Sequence, residues 1–215
     1  MVERISAKQF HDAPGTDGWH VLYGGAQTVF PTGSFQAGAE FVRRIAAVTQ
    51  ELGREPDIDL RPEAVVVRTA ASPGRLDHAD AALAARVSAI AEELGLHPDP
   101  SRLQTVQIAV AEADGVSTRD FWLAVLGYES VGGVIVDPLR RGPRMWFDEI
   151  RTPGRGRTHL DVAVPSDRAE ARVAAALAAG GRLADDSHAP DWWTLASPDN
   201  HGVDIAAWGD VDDEP

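Results

Sequence analysis

The chain contains no cysteine, which excludes disulfide frameworks, thiolate nucleophiles and cysteine-ligated zinc. A metal site would have to be built from His, Asp, Glu, Gln or water. Long apolar runs are also missing. Nothing approaches the roughly 20 consecutive apolar residues that cross a bilayer, and Met1 to Phe10 lacks the apolar centre of a signal peptide. Positive charge is scarce as well: 20 Lys and Arg against 33 Asp and Glu leave a net charge of −13. Such a surface repels phosphate backbones and anionic lipids, so neither nucleic acid nor membrane is expected as a partner. The missing apolar runs make a soluble cytoplasmic protein the default expectation. What is present is a globular balance, 44% hydrophobic and 25% charged over 215 residues, enough chain for one to two domains.

The clearest break is Gly95-Leu96-His97-Pro98-Asp99-Pro100-Ser101, where prolines follow a helical pattern and precede an alternating one. It divides the chain into a first domain over 1–95, a linker over 96–101 and a second domain over 102–209. The acidic stretch 210–215 is a solvated terminus. Upstream of the break, Phe41, Ile45, Val48 and Leu52, and again Leu83, Val87, Ile90 and Leu94, recur at helical spacing and predict two amphipathic helices. Between them, the β-branched run Ala64 to Thr69, bounded by Pro62 and Ser72-Pro73-Gly74, predicts a strand, and Trp19 to Phe30 predicts strands around Gly24-Gly25. The first domain therefore reads as a small antiparallel sheet with helices on one face.

Downstream, Thr105 to Val110 aligns with His159 to Val164 at an offset of 54 residues, and the helix ending at Gly127 aligns with one ending at Gly180-Gly181. Short strands are expected next over Tyr128–Val131, Val134–Val136 and Met145–Ile150 in one copy, and over Arg182–Ala184, Trp192–Ala196 and Val203–Trp208 in the other. Two βαβββ units result. A unit of about 50 residues cannot bury its sheet alone, so the copies should pair and curve around a shared concavity.

The second half resembles the glyoxalase and bleomycin-resistance (vicinal oxygen chelate) superfamily in Phe121 to Tyr128, Arg157 to Val162 and Trp192 to Asn200. The family's Asp-Pro-Glu-Gly-Asn turn appears here as Ser197-Pro198-Asp199-Asn200-His201. The first half resembles the pterin-4a-carbinolamine dehydratases (4a-hydroxytetrahydrobiopterin dehydratases) in Gly18-Trp19, Phe35 to Val42, Pro56-Asp57-Ile58, Val65 to Thr69 and Gly74 to Ala84. The resemblance implies an α+β fold in each half: a dehydratase-like antiparallel sheet with helices on one face, then a glyoxalase-like domain of two paired βαβββ units. That dehydratase family carries His-His-Pro after the helix and Thr-His at the strand end; this chain has Arg54-Glu55-Pro56 and Thr69-Ala70.

Dehydration of a hydroxytetrahydropterin requires groups that exchange protons near neutrality. Arg54 cannot, and Ala70 has no proton. Glu55 and Asp80 are the remaining catalytic candidates, with helix capping as the structural alternative for Asp77 and Asp80. In the second half, the resemblance implies metal ligands on the first and last strands of each unit, which selects Thr105, His159, Trp146 and Asp204. Only His159 and Asp204 are credible ligands, short of the three protein ligands a catalytic zinc has. Gln107 shares a strand face with Thr105, whereas Glu149 has the opposite parity to Trp146.

The expectation is thus a metal-free pocket lined by Gln107, Trp146, His159, Trp192, Trp193 and Asp204, with Trp192 and Trp193 pointing to opposite faces. A divalent metal on His159 and Asp204 is the one cofactor the pattern allows. The function expected is binding of a small molecule, a pterin or another aromatic metabolite, by a homo-oligomer. The alternative is a lyase: a divergent 4a-hydroxytetrahydropterin dehydratase or a metal-dependent glyoxalase-superfamily enzyme.

Overall fold

A computed structural model describes residues 3–70, 75–112, 114, 117–149, 158–196 and 202–208. Ser72-Pro73-Gly74, Arg157, the Ser197–His201 turn and the acidic stretch 210–215 lie outside the described residues. The chain is α+β and forms two compact units, the second over Gln104–Ala207.

The first unit runs β1 (Arg4–Ile5), α1 (Ala7–His11), β2 (His20–Leu22), β3 (Gly25–Pro31), α2 (Phe35–Leu52), β4 (Asp57–Leu60), β5 (Ala64–Thr69), β6 (Leu76–Asp77) and α3 (His78–Glu93). The strands β2-β3-β5-β4 form an antiparallel sheet in that order, and β1 pairs with β6. Helix α2 starts where the Ser34 hydroxyl accepts the Ala37 amide and stops at Gly53 in the left-handed conformation. Helix α3 opens with a capping box in which Asp77 and Asp80 each accept the other's amide. Both helical stripes face inward as the spacing predicts, burying Phe41, Ile45, Leu83 and Val87 against Phe30, Val65 and Val67 of the sheet.

Strand β4 is not in the sequence reading, because Asp57 and Asp59 alternate with Ile58 and Leu60 and aspartate disfavours strands. It forms as a charged edge, held by Asp57 against its ladder partner Arg68 at 2.9 Å. Residues 96–101 carry contacts to this unit: the Asp99 amide donates to the Val29 carbonyl at 2.9 Å. At Gly18 (φ +78°) a Cβ would lie 2.4 Å from Pro98 Cγ, so only glycine fits there.

The second unit contains β7 (Thr105–Glu112), α4 (Arg119–Leu126), β8 (Glu129–Val131), β9 (Val134–Val136) and β10 (Arg144–Glu149), then β11 (Thr158–Pro165), α5 (Ser166–Ala178), β12 (Arg182–Asp185), β13 (Trp192–Ala196) and β14 (Gly202–Trp208). These are the two expected βαβββ units. They merge into one eight-stranded sheet ordered β12-β13-β14-β11-β7-β10-β9-β8, which reads the same from either end once each strand is exchanged for its repeat counterpart. The first strands of both copies meet antiparallel at the centre, with Gln107 opposite Asp161, its counterpart 54 residues on. The pseudo-dyad of the repeat therefore passes between these two residues. Each copy has its own apolar core: Val110, Ile135 and Met145 with Trp122 in the first, and Val164, Ala169, Val173, Leu195 and Ile205 in the second.

Phe41 is fully buried and sits edge-to-face with Phe30, ring centroids 5.1 Å apart. Phe41→Ala is expected to cost the first unit about 3–5 kcal/mol, to be read from denaturant unfolding; a loss below about 1 kcal/mol would contradict the packing described.

Candidate functional site

Strand alternation and register place the second unit's polar residues in two neighbouring rows on one sheet face. Across β10, β7 and β11 one row reads Arg144, Gln107, Asp161, and the next reads Trp146, Ala109, His159. Strand β14 borders β11 as β10 borders β7. On it Gly202 abuts His159, where a Cβ would lie 3.3 Å from the His159 Cβ, and Asp204 follows two residues later on the same face. Ala109 and Gly202 leave the imidazole room on both sides. Trp146 fills the Ala109 side, edge-on to His159 with ring centroids 6.3 Å apart.

Asp161 is the hub of these rows. It is only 5% exposed, and a buried carboxylate is costly unless donors surround it. The Trp146 indole N–H donates to Asp161 Oδ2 at 2.7 Å, and the Gln107 amide N–H donates to the same oxygen at 3.0 Å. Arg144 Nε in turn donates to Gln107 Oε1. Since Arg144 only donates and ionised Asp161 only accepts, the orientation of the Gln107 amide is forced.

His159 Nε2 lies 3.0 Å from Asp161 Oδ1 and 3.6 Å from Asp204 Oδ2. The Asp161 carboxylate most, and Asp204 next, push the imidazole up to about 10 against the opposing effect of burial. Among the described residues, Asp204 Oδ1 is buried without a hydrogen-bonding partner, and Asp161 Oδ1 has none besides the His159 contact. One ligand atom from each of His159, Asp161 and Asp204 lies within 4.8 Å of the others. Ligands about 2.1 Å from one tetrahedral ion stand about 3.4 Å apart, so these spacings fit a shared cation. One imidazole and two carboxylates suit zinc, manganese or ferrous iron.

The structure places Gln107, Trp146, His159 and Asp204 on one sheet face. Trp192 lies on the same face, since it pairs with Ala206 while Thr194 pairs with Asp204. It stacks on His188 with ring centroids 4.0 Å apart. Trp193 is corrected out of the pocket: alternation turns it to the opposite face, where it packs with Val164, Val173 and Ile205. Glu149 has the opposite parity and is exposed. The matching of Trp146 with Asp204 is also corrected, because the dyad that exchanges Gln107 and Asp161 carries Asp204, beside Asp161, to Arg144, beside Gln107. Asp161 and Arg144 were missed. The signal for Asp161 was its position two residues after His159, the same parity test that selected Gln107. Arg144 had none without the register.

In the first unit, Arg54 follows α2 and reaches the start of α3. Its Nη2 pairs with Asp77 Oδ2, and its Nε lies 3.3 Å from Asp80 Oδ1. Asp80, fully buried, also accepts from the Thr69 hydroxyl at 2.5 Å and the Asp77 amide at 2.9 Å. Burial is the main influence on Asp80 and raises its pKa, opposed by the Thr69 and Asp77 hydrogen bonds and by Arg54. Both carboxylates are thus tied into the α3 cap. Glu55 is exposed in the connection between α2 and β4, and Ala70 follows the end of β5. Of the two catalytic candidates, Asp80 is placed as a capping residue and Glu55 is outside that cluster.

Removing Arg54 would strand two buried carboxylates, so Arg54→Ala should destabilise the first unit by about 3 kcal/mol in urea unfolding; no change would show that the pair carries no stability. A separate prediction concerns pH. Because the folded pKa of His159 is raised, the stability from its charge is complete below about 6.5 and is lost as pH rises through about 10. In metal-chelating buffer, unfolding midpoints of the second unit should fall between pH 7 and 10, and His159→Gln should flatten that slope.

Residues 107–206 match the glyoxalase-like domain family, and residues 3–90 match pterin 4 alpha carbinolamine dehydratase. No curated protein matches the chain. A transcriptional coactivator/pterin dehydratase from Brucella melitensis is similar at 22% identity, covering 41% of this chain and 99% of its own, with a TM-score of 0.38. A glyoxalase/bleomycin resistance protein/dioxygenase superfamily member from Vibrio splendidus 12B01 is similar at 16% identity, covering 49% of this chain and 99% of its own, with a TM-score of 0.35. The chain thus joins an N-terminal domain that resembles the pterin-4a-carbinolamine dehydratases to a C-terminal domain that resembles the glyoxalase and bleomycin-resistance superfamily.

Proposed function

We propose that this protein binds a small molecule on the polar sheet face of its second unit, with a divalent cation held by His159, Asp161 and Asp204. The observation that carries this reading is the convergence of His159 Nε2 with the buried Asp161 and half-buried Asp204 carboxylates, Asp204 Oδ1 having no hydrogen-bonding partner among the described residues. Asp161 changes the ligand count: two protein ligands fall short of a metal centre, whereas three leave coordination positions for water or ligand. Trp146 and Gln107 act as outer-shell donors that hold Asp161 in place.

The first unit serves in this reading as a dehydratase-like module without acid–base chemistry, since Arg54 occupies the position of a family histidine and holds no proton it can release near neutrality. A cytoplasmic location and a homo-oligomeric assembly belong to the same reading. The third ligand also favours a catalytic version, a metal-dependent lyase of the glyoxalase superfamily, because open coordination positions are what such chemistry uses.

Calorimetric titration of chelator-stripped protein with Mn2+ or Zn2+ tests this. One ion per chain is expected, bound with release of the His159 proton below pH 9. Asp161→Asn and Asp204→Asn should abolish stoichiometric binding. Trp146→Phe should weaken it about 10-fold or more through the outer shell alone. A wild-type protein that takes up no ion would return the pocket to the metal-free form.

A further inference from the structure

The dyad that carries Asp204 to Arg144 also carries Ala206 to Trp146 and Trp192 to Val134, since Trp192 pairs with Ala206 as Val134 pairs with Trp146. The two copies therefore hold their indole on different strands. In the first copy it stands on β10 and is fixed by its N–H bond to Asp161. In the second it stands on β13, one strand further from the centre, where the Trp192 indole N–H has no hydrogen-bonding partner among the described residues. Trp192 shares the polar face with Asp204 and lies diagonal to it, about 8 Å between Cα atoms. Its neighbour on β14, Ala206, offers only a methyl group.

The imidazole of His188 lies on the Trp192 indole, within 13° of parallel and with ring centroids 4.0 Å apart. This is the geometry in which a flat ligand would stack on the same ring. His188 is exposed, and its ring nitrogens make no hydrogen bond among the described residues. The turn that carries it is held by backbone instead: the His188 carbonyl accepts the Asp191 amide at 2.9 Å and the Trp192 amide at 3.3 Å. Rotation about the side-chain bonds of His188 can therefore lift the imidazole off the indole without opening the turn, with the loss of one stack.

We propose that Trp192 is the aromatic subsite of the ligand face, that His188 is its built-in occupant, and that a planar nitrogen heterocycle, neutral or cationic, displaces the imidazole. This rests on the small-molecule reading above and deepens it, but it does not need the cation. The imidazole is itself such a heterocycle, so the slot already accepts the shape. The charge follows from the surroundings. From Arg182 to Asp191 the chain carries Asp185, Asp186 and Asp191 against a single arginine, and Asp204 is on the same face. Carboxylates favour a cationic ring over an anionic one, and the face of an indole does the same.

The test uses full-length, chelator-treated protein with two probes. One is 1-methylquinolinium, a planar cationic heterocycle with no lone pair for a metal; the other is 1-naphthoate, an anion of the same ring size. Proton NMR follows the His188 ring, identified as the signal lost in His188→Ala. Stacking on the indole shifts that signal upfield, and saturation with 1-methylquinolinium should return it toward the position of an unstacked histidine. In calorimetry, His188→Ala should bind 1-methylquinolinium about two- to tenfold more tightly than the wild type, the contribution of one stack, and His188→Phe should show no gain. Trp192→Leu should remove the gain in the His188→Ala background, and 1-naphthoate should bind the wild type more weakly than 1-methylquinolinium. Because His188 is exposed, its substitutions leave the fold intact and decide the matter even where Trp192→Leu is unstable. A His188 signal unmoved at saturation, or binding that is unchanged, weaker or absent in His188→Ala, overturns the displacement. A preference for 1-naphthoate overturns the ligand class. With the metal stripped, failure here leaves the cation reading standing, and failure of the cation titration leaves this subsite standing.

Discussion

Where β7 and β11 lie antiparallel, their register sets Gln107 against Asp161, and the chemistry of the second unit follows from that one pairing. Strand side chains alternate, so a slip of β11 by a single residue would send Asp161 and His159 to the helix-covered face and leave Gln107 behind. The register is held by the apolar residues of opposite parity, such as Val164 in the core under α5. With the pairing in place, Asp161 is nearly shut off from bulk water and must be satisfied locally. Gln107 and Trp146 take one of its oxygens, and the other is left pointing toward His159 and the neighbourhood of Asp204.

The same pairing explains why two similar backbones carry such different side chains. Equivalent places around the dyad hold Gln107 and Asp161, Arg144 and Asp204. An acid pair on one side and an amide with a guanidinium on the other form a graded face, anionic toward β14 and cationic toward β10. Were the two halves identical in charge, four acids in one row would repel one another at close range, and no neutral row would balance them. Repetition supplies the frame, and divergence of the residues facing the dyad supplies the polarity.

In the first unit a different electrostatic arrangement dominates. Two aspartates at the start of α3 are buried together, one of them fully. Like charges at that separation are unfavourable. Arg54 bridges them, and the Thr69 hydroxyl and the Asp77 amide complete the shell. Where the resembled family has histidines, this chain has a permanent cation and a methyl group, and the local structure uses the cation as a clasp. A guanidinium suits that task because it offers several donors in one plane and never loses its charge.

Amphipathic spacing alone determined α2 and α3, and the 54-residue repeat determined the paired βαβββ units, because apolar periodicity reports directly which face a helix or strand must bury. The motif residues of both halves were enough to identify the resemblances, and strand parity was enough to place Trp192 and Trp193 on opposite faces. Only tertiary structure decided which of the two tryptophans faces the site, since parity is relative until the register fixes it. It also decided that Asp161 joins His159 and Asp204 and that Arg144 is the counterpart of Asp204. Those facts belong to the pairing of strands far apart in sequence, and a local pattern carries no information about which residues will stand opposite one another.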